Sequence, residues 1–252
     1  MVSNFRQNEI LELARKDGKV TVDGLAQLYD VTVQTIRRDL SELAEIGRLE
    51  RVHGGAVIPS SVVNLQYEDR RRMNDTGKRE IAQACAAAIP DDAAIFMNIG
   101  TSTEAVAIEL LGHKNLLVVT NNLNIASILS ANKSFEIIMT GGILRRSDRG
   151  LIGGPAAESV KQFKFDYSVL GCSAMDVDGD LLDFDAQEVL VSQAAIHHSR
   201  KIIVVADQQK FQRKAPLKIC SLADVTTLIT DGSIPVELVA DCVSWATEVI
   251  IA

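Results

Sequence analysis

Residues 31–51, VTVQTIRRDLSELAEIGRLER, read as a helix whose two sides differ in chemistry. Thr32 is placed as its N-cap, because a hydroxyl there accepts from an otherwise orphaned amide of the first turn. Val33, Ile36, Leu40 and Leu43 recur at helical spacing and form one apolar stripe. Gln34, Thr35, Arg37, Arg38 and Ser41 share the other side. Long cationic donors, a bidentate amide and short hydroxyls suit base edges and phosphates better than they suit a generic wet surface. Gly47 supplies the stop.

Working outward, residues 4–16 carry Phe5, Ile10, Leu11, Leu13 and Ala14, a first helix that Gly18 ends. Thr21 caps a second, 22–29, whose inward residues are expected to be Leu25, Ala26 and Leu28. Asp30-Val31 is then the tight turn before the third helix. Two short helices, a brief turn and a polar-faced helix make a helix-turn-helix. Beyond Gly47, residues 49–52 and 56–58 are candidate strands joined by a turn at Gly54-Gly55. This small wing is expected to bring Arg48, Arg51 and His53 near phosphates or a minor groove. Residues 1–60 hold eight Lys or Arg against nine Asp or Glu, so only local placement of the arginines can attract a duplex.

The run Thr35-Ile36-Arg37-Arg38-Asp39-Leu40 followed by His53-Gly54-Gly55-Ala56 resembles the N-terminal domain of the DeoR family of bacterial repressors. The resemblance implies that the third helix enters the major groove of double-stranded operator DNA, which implicates Gln34, Thr35, Arg37 and Arg38. Asp39 reads as structural, paired with an arginine, because a carboxylate facing phosphates is repelled.

Composition narrows the remaining possibilities. The 252 residues suffice for a small domain plus one of ordinary size, and 47% hydrophobic content excludes wholesale disorder. No apolar run approaches the length of a membrane span, and the opening Asn-Phe-Arg-Gln-Asn-Glu lacks an apolar signal core, so a cytoplasmic protein with no membrane partner is expected. Cys85, Cys172, Cys220 and Cys242 lie far apart without CxxC spacing, and His197-His198 diverge on a helix. Reduced core thiols are expected, with no metal and no cofactor. A net charge of −7 confines DNA contact to a patch.

After about residue 58 the pattern changes. A linker is expected over 59–77, between a domain at 1–58 and another at 78–252. Helical readings at 78–89, 104–111, 123–131, 155–163 and 186–199 alternate with strands at 93–98, 116–120, 135–140, 166–171 and 201–206. Further strands are read at 225–230 and 248–251. Such alternation predicts an α/β domain with a largely parallel sheet covered by helices.

Ligands of such sheets gather beyond the strand carboxyl ends. There the chain places Gly100-Thr101-Ser102-Thr103, Thr120-Asn121-Asn122, Thr140-Gly141-Gly142 and Ala206-Asp207 with Lys210 just beyond. Amides, hydroxyls and a helix start converging in this way favour an anion. The GTST loop lacks the lysine of a Walker A sequence, which argues against nucleotide hydrolysis.

The segments GTSTEAVA, TNNLNIA, TGGILRRSDRGLIG, LLDFDAQE and VVADQQKF resemble blocks of the DeoR-family sensor domain, whose fold is related to ribose-5-phosphate isomerase. The likeness thus covers essentially the whole chain. TNNLN, RRSDRG and LLDFD carry a finer likeness, to the branch concerned with glycerol 3-phosphate. By analogy Lys78, Thr101, Ser102, Thr103 and Lys210 surround a phosphate, while Asp183, Asp185 and Glu188 line the part of the pocket that holds a polyol or sugar. Ser102 departs from the family's usual threonine but keeps the hydroxyl. Arg145, Arg146 and Arg149 form a basic cluster in a loop that either closes over the ligand or is simply solvated.

The resemblance implies a homo-oligomeric repressor, dimer or tetramer, of a carbohydrate or polyol operon. Its release from the operator would follow binding of glycerol 3-phosphate or a sugar phosphate. Two alternatives stay open at this point. One is an isomerase-like enzyme with a DNA-binding appendage, using Glu188 with Asp183 or Asp185 as base. The other is an activator with the same sensor.

Overall fold

The computed structural model describes residues 2–60 and 64–252, and the backbone alone at the first three of these. Residues 61–63 of the expected linker lie outside the described residues. The chain divides into two compact units: residues up to 60 together with Glu68–Met73, and residues 64–67 together with Asn74–Ala252.

The first unit runs α1 (Val2–Asp17), β1 (Lys19–Thr21), α2 (Val22–Tyr29), α3 (Val33–Glu45), β2 (Glu50–Val52) and β3 (Gly55–Val57). Thr21 and Thr32 cap α2 and α3, their Oγ1 atoms accepting from the amides of Gly24 and Thr35, each at 3.2 Å. Both helices end in the same double hydrogen-bonded turn. After α3, Gly47 N donates to Ala44 O and Arg48 N to Leu43 O, with Gly47 at φ +68°. After α2, Asp30 takes the left-handed position at φ +49°, with Asp30 N donating to Gln27 O and Val31 N to Ala26 O. These stops fix the tight turn. Ile10, Ala14, Leu25, Ile36, Leu40 and Leu43 form the core.

Three expectations are corrected here. Leu28 is 62% exposed, because α2 turns Val22, Leu25 and Ala26 inward and leaves Tyr29 half-buried beside them. Val33, at the first turn of α3, stands at the rim with 36% exposure. The wing has three strands, in the order β1-β3-β2, since Lys19–Thr21 pairs antiparallel with Gly55–Val57. Gly55 therefore sits in a strand and not in the turn. A Cβ there would meet Val20 O at 1.9 Å, so the close approach of β1 requires glycine.

The second unit follows, with α4 (Tyr67–Arg72) beginning in it and continuing into the first. Next come α5 (Asp75–Ala87), β4 (Ala94–Met97), α6 (Thr101–Glu109), β5 (Leu117–Thr120), α7 (Leu123–Leu129) and β6 (Glu136–Met139). The hairpin β7 (Ile143–Arg145) and β8 (Gly150–Ile152) precedes α8 (Gly154–Val160) and β9 (Phe165–Leu170). Then run β10 (Ala174–Met175), β11 (Asp180–Asp183), α9 (Ala186–His197) and β12 (Ser199–Val205). Last are β13 (Leu217–Ser221), β14 (Thr227–Thr230), α10 (Val236–Trp245) and β15 (Glu248–Ile251).

Seven strands form one sheet in the order β15-β14-β12-β9-β4-β5-β6, every neighbouring pair parallel. Its strands are buried on both faces and so read as unbroken apolar runs. Ile95, Met97, Val118, Val169, Ile203 and Val205 pack against α5, α6 and α7. Phe96, Val119, Leu170, Val204 and Leu228 pack on the opposite face against α8, α9 and α10. From β4 the chain proceeds outward through β5 and β6, then returns to place β9 on the other side of β4 and continues outward that way. The carboxyl ends of β4 and β9 are therefore the switch point at which such sheets bind ligands. A small antiparallel sheet, β10-β11-β13, stands beyond β9.

Candidate nucleic-acid interface and effector cleft

In the first unit, α3 carries Thr32, Gln34, Arg37, Arg38 and Ser41 exposed and Thr35 half-buried. An open cavity of about 460 Å³ at its start is lined by Arg6, Thr32, Gln34, Thr35, Arg38, Asp39 and Glu42. Two side-chain bonds lock α3 to α1. Arg6 Nε lies 2.5 Å from Asp39 Oδ2, and Gln7 Nε2 donates to Glu42 Oε2 at 2.6 Å. The Asp39 hydrogen bond holds the Arg6 guanidinium above its ordinary value. Arg38 and Gln7 together hold the Glu42 carboxyl below its own. The structural reading of Asp39 and its arginine partner thus agrees with the geometry.

The candidate DNA residues do not all gather on one face. Arg38, with an 82% exposed side chain, reaches Glu42 at 2.9 Å. Ser41 Oγ donates back to Arg37 O at 2.8 Å, and Arg51 Nη1 donates to the same carbonyl at 3.0 Å. Ser41 and Arg51 therefore tie the wing to α3, and burial together with nearby Arg37 lowers the Arg51 pKa. His53 is exposed at the wing turn. Arg48 lines a different groove, with Phe5, Leu28 and Tyr29.

In the second unit the switch point is bridged by Asn98. Its Nδ2 donates to Gly171 O at 3.0 Å and its Oδ1 accepts from Gly171 N at 2.9 Å. Gly100 precedes α6, Thr101 is half-buried and Ser102 is buried within its first turn. The Thr103 hydroxyl points inward to Asn98 O and Gly100 O, so it fastens the loop. Thr120 Oγ1 likewise serves the backbone, donating to Met97 O and accepting from Asn122 N. Asn122 caps α7 and donates to Glu104. Asn121 Nδ2 donates to Leu151 O, while its buried Oδ1 and the buried Thr140 Oγ1 have no partner among the described residues. Those two atoms end neighbouring strands, since Thr140 N donates to Thr120 O. Gly141 and Gly142 follow, both exposed.

Two lysines are buried at this carboxyl edge, Lys78 and Lys210. Lys78 follows Gly77, whose backbone lies against the Asp231 carboxylate just beyond β14. That carboxylate accepts from Gln208 N, two residues before Lys210. Lys210, Asp183 and Asp207 all lie close enough to bias the Cys172 thiol, which burial pushes up to about 12. The four cysteines are free and buried.

The expected basic loop is a hairpin, and its first arginine is committed. Arg145 grips Asp148 with two nitrogens, at 3.0 and 2.7 Å, and reaches Asp185 Oδ2 at 2.7 Å and Glu188 Oε2 at 2.5 Å. Asp185 also caps α9 through Gln187 N, leaving both its oxygens engaged. Asp183 Oδ1 accepts from Ser173 Oγ and Phe184 N. Burial pushes the Glu188 carboxyl up, to about 8, with Asp183 adding to the rise and Arg145 opposing it. Arg146 and Arg149 are exposed, Arg149 at φ +59°. Arg145 and Asp148 lie within RRSDRG, and Glu104 and Asn124 within GTSTEAVA and TNNLNIA, but none of those segments names the partners that these side chains take. Their roles depend on partners distant in sequence.

Residues 6–62 match the DeoR-like helix-turn-helix domain and residues 73–232 the DeoR C-terminal sensor domain. The chain belongs to the DeoR family of transcriptional repressors. It is 46% identical to the glycerol-3-phosphate regulon repressor of Haemophilus influenzae, over 93% of this chain and 91% of that one. It is 42% identical to the HTH-type transcriptional repressor CsqR of Escherichia coli, over 94% and 91%. The ribose 5-phosphate isomerase A of Neisseria gonorrhoeae overlaps 53% of this chain and 52% of its own, with a TM-score of 0.40 and 14% identity. This DeoR-family chain is a regulator rather than an enzyme, and the isomerase alternative falls. Among the described residues, no helix is long and apolar enough to cross a membrane.

Proposed function

We propose that this DeoR-family repressor is a homo-oligomer whose grip on operator DNA is released by a phosphorylated polyol or sugar. Glycerol 3-phosphate is the first candidate. Gln34, Thr35, Arg37 and Arg38 read the duplex from α3, with Thr32 and His53 at the margins of the contact. The phosphate sits against the start of α6, at Gly100 to Ser102, between Lys78 and Lys210. The observation that carries this reading is the burial of those two cationic side chains at the carboxyl edge of the sheet, at 5% and 7% exposure. Lysines are rarely so enclosed unless their charge is engaged, and a helix start beside two such cations suits an anion. Asn121 Oδ1 and Thr140 Oγ1, both buried without partners among the described residues, add a donor-acceptor pair fit for a ligand hydroxyl. Asp183 stands beside Lys210 on the polyol side, whereas Asp185, Glu188 and Arg149 serve or follow the hairpin. A dimer is the least that a symmetric operator requires, and release follows only if the ligand prefers the DNA-incompetent arrangement.

The experiment is a thermal-shift screen of sugar and polyol phosphates against the full chain and Lys210→Ala. One ester at a hundred times its Kd stabilises the parent by about 2.7 kcal/mol, and the variant loses the response. An unchanged response in Lys210→Ala places the phosphate elsewhere.

A further inference from the structure

Residues 64–67 of the linker pack with the sensor unit through two polar anchors, one at each strand of the switch point. Asn64 Nδ2 donates to Ser173 Oγ at 3.0 Å, just beyond β9, and Ser173 in turn donates to Asp183. Tyr67 OH donates to Glu104 Oε2 at 2.7 Å and accepts from Asn124 Nδ2 at 3.0 Å. Glu104 is buried in the first turn of α6, beside the start of the phosphate cradle, and its other oxygen accepts from Asn122 and Asn124. A hydroxyl that gives its proton to a buried carboxylate and takes one from an amide has the hydrogen-bonding pattern of a ligand alcohol.

We propose that Glu104 and Asn124 form an alcohol-reading subsite of the effector cleft, filled by the Tyr67 hydroxyl until a polyol or sugar phosphate replaces it. The proposal rests on the effector reading above. The phosphate half of the ligand engages the α6 start, and its neighbouring hydroxyl takes over the bonds to Glu104 and Asn124. Replacement frees Tyr67, the first residue of α4. Two residues along the same helix, Asp69 Oδ1 accepts from Lys19 Nζ at 3.0 Å, in the wing of the first unit. One short helix thus carries both the residue that senses occupancy and a residue joined to the DNA-binding unit. Inorganic phosphate, which has no alcohol, leaves Tyr67 in place.

Calorimetric titration of the full chain, Tyr67→Phe and Glu104→Gln with glycerol 3-phosphate, ribose 5-phosphate and inorganic phosphate tests this. Tyr67→Phe removes the competing hydroxyl, so the affinity for at least one ester rises about ten-fold relative to inorganic phosphate. Glu104→Gln lowers the ester affinity about ten-fold relative to inorganic phosphate. Hydrogen exchange over residues 64–72 of the parent quickens with the ester and not with inorganic phosphate. Equal changes for ester and phosphate, or ester binding untouched by either variant, overturn the subsite while leaving the effector reading intact. Failure of every probe to bind the parent chain overturns the effector reading and the subsite together.

Discussion

Arg6 Nε and Asp39 Oδ2 stand 2.5 Å apart across α1 and α3, with the carboxylate side chain only 4% exposed. The pair sets how α3 is carried, because Asp39 is buried one turn from Thr35, a residue proposed to face DNA. Replacing it by Asn keeps a neutral acceptor for Arg6 but removes the compensating charge. Asp39→Asn is expected to destabilise the first unit by about 1 kcal/mol, because solvent screens the Arg6 charge, and to lower DNA affinity with it. Chemical denaturation of the full chain, monitored for a separate early transition, reads this. A variant as stable as the parent removes the pair from the account of the fold.

Arg38 and Arg51 separate two roles that share one surface. Arg38 projects freely apart from its exposed contact with Glu42, whereas Arg51 is spent on the Arg37 carbonyl. Arg38→Ala should weaken sequence-selective DNA binding by roughly 1–3 kcal/mol with little change in stability. Arg51→Ala should instead lower stability by about 1 kcal/mol and affect DNA binding through the wing. Anisotropy titrations at several salt concentrations, paired with melting curves, distinguish the two. The same loss of stability in both variants contradicts the division.

The Glu188 carboxyl, raised from 4.5 to about 8 by burial, makes the sensor unit's stability depend on pH. A folded-state value above the unfolded one means that the native chain holds the extra proton. The contribution is therefore complete below pH 4.5 and is lost as pH rises through about 8. Glu188→Gln, neutral throughout, should flatten the melting temperature across that window and retain the hydrogen bond from Arg145. A pH dependence identical in parent and variant assigns the titration to another group.

What the sequence disclosed follows from how local each signal is. Runs such as Lys201 to Ala206 announce central strands because both faces are buried, and six parallel pairings follow from the alternation of such runs with helices. The Asp39 role was legible since a carboxylate on a helix meant for phosphates needs a cation. Leu28 misled because apolarity alone does not choose between adjacent helix faces. The helix Val236–Trp245 escaped notice, with Val236, Val239 and Val243 exposed and only Leu238 and Cys242 buried in it. The strand Ala174–Met175 is too short to carry a period. In the cleft, loops after strands were legible, but which hydroxyls are spent was not. Arg145 meets Asp185 and Glu188 across 40 and 43 positions of chain. No spacing rule reaches so far.

The Asn98 carboxamide acts as an extra rung between β4 and β9, exchanging both hydrogen bonds with the Gly171 peptide where the two strands would otherwise splay. The floor of the cleft is zipped. Parting β4 from β9 at this point would cost both of those hydrogen bonds, so the sheet resists opening there. Side-chain bonds hold the hairpin to Asp185 and Glu188 and the segment 64–67 to Ser173 and Glu104.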